Sequence, residues 1–140
     1  MGTRSRLVIR RNRASKKTIY LWMKWDGYFS GVGTWLCSEL KKLLETYTIP
    51  EIRRMIDALD IADDEDGQRF NPKDLIPFLE GKTEYKNDPC DDIEYEYILD
   101  ADLGTFVGEH YDECYMLHFD QILAGKDFDS MIPAEQESER

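Results

Sequence analysis

A chain of 140 residues with 18 Lys+Arg against 29 Asp+Glu carries a formal charge of −11 at neutral pH. Its length fits one domain, and 8 Tyr, 6 Phe and 3 Trp supply enough large apolar side chains for a core, which excludes a mainly disordered chain. No run approaches the roughly 18–20 apolar residues of a membrane-spanning helix, and the N-terminus lacks the apolar stretch of a secretory signal.

Cys37, Cys90 and Cys114 are far apart, and no C-x-x-C occurs. Three reduced thiols fit this pattern better than a disulfide scaffold or a structural zinc site. The charge is unevenly spread. Residues 1–24 hold eight basic residues and no acidic one, whereas residues 56–140 hold 25 acidic and 6 basic residues. A positive N-terminal hairpin therefore precedes a negative remainder, whose field repels nucleic acid at long range.

Ser5–Arg11 reads as a strand centred on Leu7, Val8 and Ile9. Thr18–Trp25 reads as a second, with Ile19, Leu21, Met23 and Trp25 on one face and Tyr20 and Trp22 on the other; apolar groups on both faces place it centrally in a sheet. Asn12–Lys17 joins the two as a polar hairpin loop. The glycine-rich stretch Asp26–Gly33 reads as a turn. A helix follows from about Thr34, its expected N-cap, with Leu36, Leu40, Leu43, Leu44 and Tyr47 on one stripe. Pro50 ends it near Thr48, and Thr48-Ile-Pro-Glu51 matches a capping box that opens a second helix with Ile49, Ile52, Ile56 and Leu59 inward. Asp60–Gly67 is an acidic turn. Asn71-Pro72 opens a short third helix that contains Pro77 and stops at Gly81.

Glu80–Asp92 reads as a loop. Ile93–Asp100, Thr105–Tyr111 and Glu113–Asp120 alternate as strands, and Ile122–Ile132 as a loop or a short turn of helix. The predicted fold is α+β: an antiparallel sheet, made of an N-terminal hairpin and a C-terminal meander, with two to three helices on one face. Residues 1–132 form the single domain, and 133–140 an acidic tail expected to be disordered.

No constellation reads as catalytic. Cys114 and His118 share a face of one strand but stand about 13 Å apart along it, too far for a direct hydrogen bond. Aligning Gly67 with the glycine of a calcium loop puts Ala62 and Lys73 at essential ligand positions, so that reading fails and no metal or other cofactor is expected. The turn itself is the candidate site: Asp26, Gly27, Tyr28, Phe29, Ser30, Gly31 and Gly33. One reading is a partner-binding face on which Tyr28 and Phe29 are displayed as anchors. Another is a phosphate or carboxylate site, in a small ligand-binding protein or enzyme, on the amides that open the helix, with Ser30 and Thr34 as donors. A third makes the glycines merely the price of a tight bend. Six aromatics between Tyr20 and Trp35 serve either the core or a stacking surface. Arg10, Arg11, Arg13, Lys16 and Lys17 are the candidate nucleic-acid contacts; the competing reading has the hairpin lying against its own acidic half. The same run has the look of a short nuclear import signal.

The opening Met1-Gly2-Thr3-Arg4 and the stretch Trp25-Asp26-Gly27-Tyr28-Phe29-Ser30-Gly31-Val32-Gly33 resemble a family of small proteins of large DNA viruses, phages, bacteria and fungi. These begin with MGTR and carry a W/F-D-G-Y-P-S-G-x-G turn; the nearest resemblance is to proteins of marseillevirus-type giant viruses. Phe29 stands where proline is usual. The resemblance covers about residues 1–45 and implies a shared fold and an intracellular setting in an infected host: the cytoplasm or virus factory, with the nucleus or virion left open. It brings no reaction with it. The N-terminus is expected to pack beside the turn. The function these readings favour is non-enzymatic binding of a host or viral protein, with a homodimer left open.

Overall fold

A computed structural model of the chain describes residues 3–13, 16–61, 67–83, 88, 90 and 92–132. The acidic turn at 62–66, the hairpin tip at 14–15 and the tail at 133–140 lie outside the described residues. The fold is α+β. Strands β1 (Ser5–Arg11) and β2 (Lys17–Met23) form the N-terminal hairpin. Helices α1 (Thr34–Thr46) and α2 (Ile49–Ala58) follow, then the two-residue strand β3 (Gln68–Arg69) and the short helix α3 (Leu75–Leu79). Strands β4 (Tyr95–Asp100), β5 (Thr105–His110) and β6 (Glu113–His118) form the meander, and α4 (Phe119–Leu123) closes the regular structure.

The sheet order is β3-β2-β1-β4-β5-β6. Pairing is mostly antiparallel, but β1 runs parallel to β4 and β2 parallel to β3. After α1 and α2 the chain first touches the outer edge of β2 as β3, then crosses through α3 and enters beside β1 as β4, so the two antiparallel halves meet through a parallel junction. This makes β1 and β4 the central strands. Strand β2, expected at the centre, lies one place from the edge, flanked by the minimal β3. Trp22 is nevertheless buried, and its indole N–H donates to the carbonyl of Asp88, which approaches from the segment before β4.

One face of the sheet presents Leu7, Ile9, Ile19, Leu21, Met23, Tyr97, Leu99, Phe106 and Leu117 to the core, and the helices add Leu36, Leu40, Leu43, Ile52 and Ile56. On the opposite face, register aligns Tyr20, Val8, Ile98, Val107 and Met116 in one apolar row across five strands. The capping box of α2 is formed: Glu51 N–H donates to Thr48 Oγ1 at 3.2 Å, and Thr48 N–H to Glu51 Oε1 at 2.9 Å. Asn71 caps the turn before α3 through Lys73 N–H at 3.0 Å, and Gly81 ends that helix at φ +75°. Thr34 does not cap α1. A π-helical turn, Phe29–Gly33, runs directly into the helix, and the Thr34 hydroxyl donates back to the Phe29 carbonyl at 3.2 Å.

The N-terminal cations are matched to carboxylates. Arg4 pairs with Asp92, Arg6 with Glu96, Arg10 with Asp100, and Arg11 with both Asp57 and Asp102. Arg11 is only 6% exposed and ties the hairpin to α2 and to the β4–β5 turn. Asp102 also accepts the Arg13 backbone N–H at 2.9 Å, and that N–H, with Arg11 beside it, holds the carboxyl below its ordinary range.

Candidate functional site

The glycine-rich turn is sealed. Gly27 N–H donates to the Thr3 carbonyl at 2.8 Å, so the N-terminal segment does pack beside the turn as expected. A Cβ at Gly27 would stand 2.7 Å from that same carbonyl oxygen, and one at Gly33 would stand 3.0 Å from the Phe128 ring. A Cβ at Gly31 would collide with the backbone carbonyl of Asp26. Close approach, rather than ligand access, is what these three glycines provide. Asp26 occupies the left-handed region at φ +54°, which Asp tolerates better than most side chains.

The amides expected to receive an anion are already used. Gly31 and Gly33 N–H donate to the Tyr28 carbonyl at 3.0 and 3.3 Å, and Val32 N–H to the Asp26 carbonyl at 2.8 Å. With the Thr34 hydroxyl also turned inward, Ser30 alone of the predicted donors stays exposed. Of the side chains predicted to be displayed, Phe29 must be corrected. It is 4% exposed and inserts edge-on between Tyr95 and Tyr115, with ring centroids 5.0 and 5.2 Å away. The π-helical turn rotates it into the aromatic core, where large apolar area gains most from leaving water. Gly27, Gly31 and Gly33 are buried too, so no partner reaches them. Tyr28 and Ser30 stay exposed, and the Tyr28 hydroxyl donates to Asp26 Oδ1 at 2.9 Å. That carboxylate raises the Tyr28 phenol above its ordinary value, so the hydroxyl keeps its proton.

The basic hairpin is largely engaged as well. Arg10 and Arg11 are paired with carboxylates, and Lys17 donates to the carbonyls of Asp57 and Leu59. Only Arg13 and Lys16 of the five candidates remain exposed without a side-chain ion pair among the described residues.

Next to the turn the described surface opens. A cleft of about 710 Å³ forms where the end of β2 meets α1 and the segment leaving β3. Trp25, Trp35 and Phe70 supply its aromatic surface, with Met23 and Pro72. Lys24, Arg69 and Lys73 bring positive charge, and Asp26 and Asn71 complete the polar lining. Trp25 is 52% and Trp35 40% exposed. Lys24 Nζ sits 4.9 Å from the Trp25 ring centroid, a cation–π arrangement. Strand β3 makes the cleft possible. Gln68 and Arg69 pair with Leu21 and Trp22, and Phe70 N–H donates to the Trp22 carbonyl at 2.7 Å, which carries Arg69–Lys73 to the side of Trp25.

Sequence reasoning grouped Trp25 and Trp35 with the other aromatics, but it missed Phe70, Arg69 and Lys73. Only the Asn71-Pro72 helix start signalled that the chain is fixed there. The cleft offers stacking surface and cationic donors. The histidines and cysteines lie elsewhere. His110 stacks on Tyr95 with centroids 3.9 Å apart, and its Nδ1 lies 3.3 Å from Glu113 Oε1. Cys37 is buried on the inner face of α1, where burial, then Asp127, pushes its thiol up to about 12. Cys114 and His118 are exposed on β6. Among the described residues there is no cluster of three or more His, Cys, Asp or Glu able to hold a metal ion, and no helix long and apolar enough to cross a membrane. Comparison with family models, curated proteins and solved structures finds no match to this chain, so the functional reading rests on the geometry of this site.

Proposed function

We propose that this chain is a non-enzymatic interaction protein that binds a host or viral protein partner through the aromatic cleft beside the turn. The observation that supports it is the exposure of two tryptophans on one cleft, Trp25 and Trp35. Indole surface left in water gains nothing for the fold, and the same surface is a typical anchor at protein interfaces. Tyr28 is exposed and its hydroxyl is bonded to the cleft residue Asp26. The glycine turn serves this face indirectly: it fixes the backbone between Trp25 and Trp35 and locks it with Phe29. The setting implied by the family resemblance is the interior of an infected cell.

Affinity capture from infected cells supplies candidate partners, and each is then purified and titrated against the pure chain. Trp25→Ala with Trp35→Ala is expected to weaken a direct partner by at least about tenfold, while Arg13→Ser with Lys16→Ser leaves it unchanged. Equal binding by wild type and the double tryptophan variant would contradict the proposal.

A further inference from the structure

We infer that the cleft receives an acidic peptide segment carrying one aromatic or apolar anchor side chain; this rests on the interaction reading above and specifies its partner. The first support is a contrast in ion pairing. Every arginine of β1, and Arg4 before it, has a carboxylate partner within 4 Å. Lys24, Arg69 and Lys73 have none among the described residues, although the molecule has an excess of acid. Two of the three rest against aromatic faces instead: Lys24 on Trp25, and Arg69 with its guanidinium 6.0 Å from the Trp22 ring centroid. Their charged heads are held beside the cleft, unpaired with any carboxylate of the described residues.

The second support is the state of the lining carboxylate. Asp26 accepts the Tyr28 hydroxyl, so the one acid in the lining is already engaged. Three cations against one occupied carboxylate select an anionic guest, and they oppose a cationic guest that the aromatic walls alone would welcome. Phosphates could answer the same charge. A phosphate chain, however, continues past the cleft over a protein whose net charge is −11, and each added phosphate meets repulsion. A short acidic peptide places a few carboxylates on the three cations and ends there. Its anchor side chain fills the apolar part of the cleft, whose volume suits one large side chain and its flanks.

The test uses the full chain and its tryptophan fluorescence. The probe is a synthetic peptide with a central Phe between two Asp-Glu-Asp triplets, compared with the same peptide bearing Lys at every acidic position and with a short thymidine oligonucleotide. The acidic peptide is expected to shift the emission in a saturable way, more weakly as salt rises, while the Lys peptide has no effect. Neutralising all three cations (Lys24→Gln, Arg69→Gln, Lys73→Gln) is expected to weaken binding about tenfold, from three exposed pairs of modest strength each. A thermal melt confirms that this variant is folded, and Lys24→Gln with Lys73→Gln alone still lowers affinity if Arg69 proves necessary for packing. No response to the acidic peptide, equal binding of the Lys peptide, or tighter binding of the oligonucleotide would each overturn the inference. A captured protein that is lost on Trp25→Ala with Trp35→Ala, yet indifferent to the three neutralisations, would sink the acidic chemistry and leave the interaction reading standing. A captured protein indifferent to both sets would remove the interaction reading itself.

Discussion

The N-terminal hairpin and the cleft are two cation-bearing regions that share strand β2 or its immediate continuation, and they use charge in opposite ways. In the hairpin, Arg10 and Arg11 meet Asp100, Asp57 and Asp102 from distant parts of the chain, and Arg11 is buried in the process. In the cleft, Lys24, Arg69 and Lys73 meet no carboxylate among the described residues and lie beside exposed indole. Most of a dense basic run is thus consumed by the fold, whereas three cations scattered over about fifty residues of sequence gather at a surface that is open. Density along the chain is a poor guide to availability; the carboxylates that the fold brings close decide it.

The largest effect expected from breaking this contrast comes from the scaffold that separates the two regions. Phe29→Ala should cost about 3–5 kcal/mol in denaturant unfolding, because it empties a site walled by Tyr95, Tyr115 and Phe128. A loss below about 1 kcal/mol would mean that the turn does not insert Phe29 as described. Next comes the consumed charge itself. Arg11→Met should cost about 2 kcal/mol, because Asp102 loses its buried partner but keeps Arg53 at 3.7 Å and the Arg13 N–H, whereas Arg13→Ser should change stability by less than about 0.5 kcal/mol. Equal effects at the two positions would erase the distinction between spent and free cations.

A pH titration sharpens the same point. The carboxyl of Asp102 is held below its unfolded range, first by the Arg13 N–H and also by Arg11. Its contribution is therefore complete above about pH 4, the ordinary Asp value, and is lost as pH falls through the lower folded value. The melting temperature of wild type should drop on acidification through that window, and Asp102→Asn should drop less. The smallest expected change is in the stability of the cleft. Trp35→Ala should shift unfolding by about 1 kcal/mol or less, since its indole is 40% exposed. Thiol labelling gives an independent check on the core: Cys114 should react readily at neutral pH, while Cys37, with its thiol pushed up to about 12, should react only on unfolding.

Much of the architecture was legible because local signals agreed with the global fold. The bounds of β1, the Thr48–Glu51 capping box and the Asn71-Pro72 start all follow from residue chemistry within a few positions. The parallel junction of β1 with β4 was not, because strand order depends on which edge the returning chain meets. The turn was legible as a bend but not as a π-helix, and that extra rotation is what exchanged Phe29 from the surface to the core. The cleft was illegible for a similar reason. Its walls at Trp25 and Trp35 belong to one segment, but Phe70 and its cationic neighbours arrive through a strand of two residues, too short to leave a periodic pattern.

Calorimetric titration of the acidic peptide against wild type, against Trp25→Ala with Trp35→Ala, and against Arg13→Ser with Lys16→Ser tests the assignment of recognition to the cleft most directly, because heat reports binding after both indoles are gone. Saturable binding that the tryptophan pair abolishes and the hairpin pair leaves intact is the predicted result. Binding that survives loss of both indoles but disappears with the hairpin charges would contradict the account.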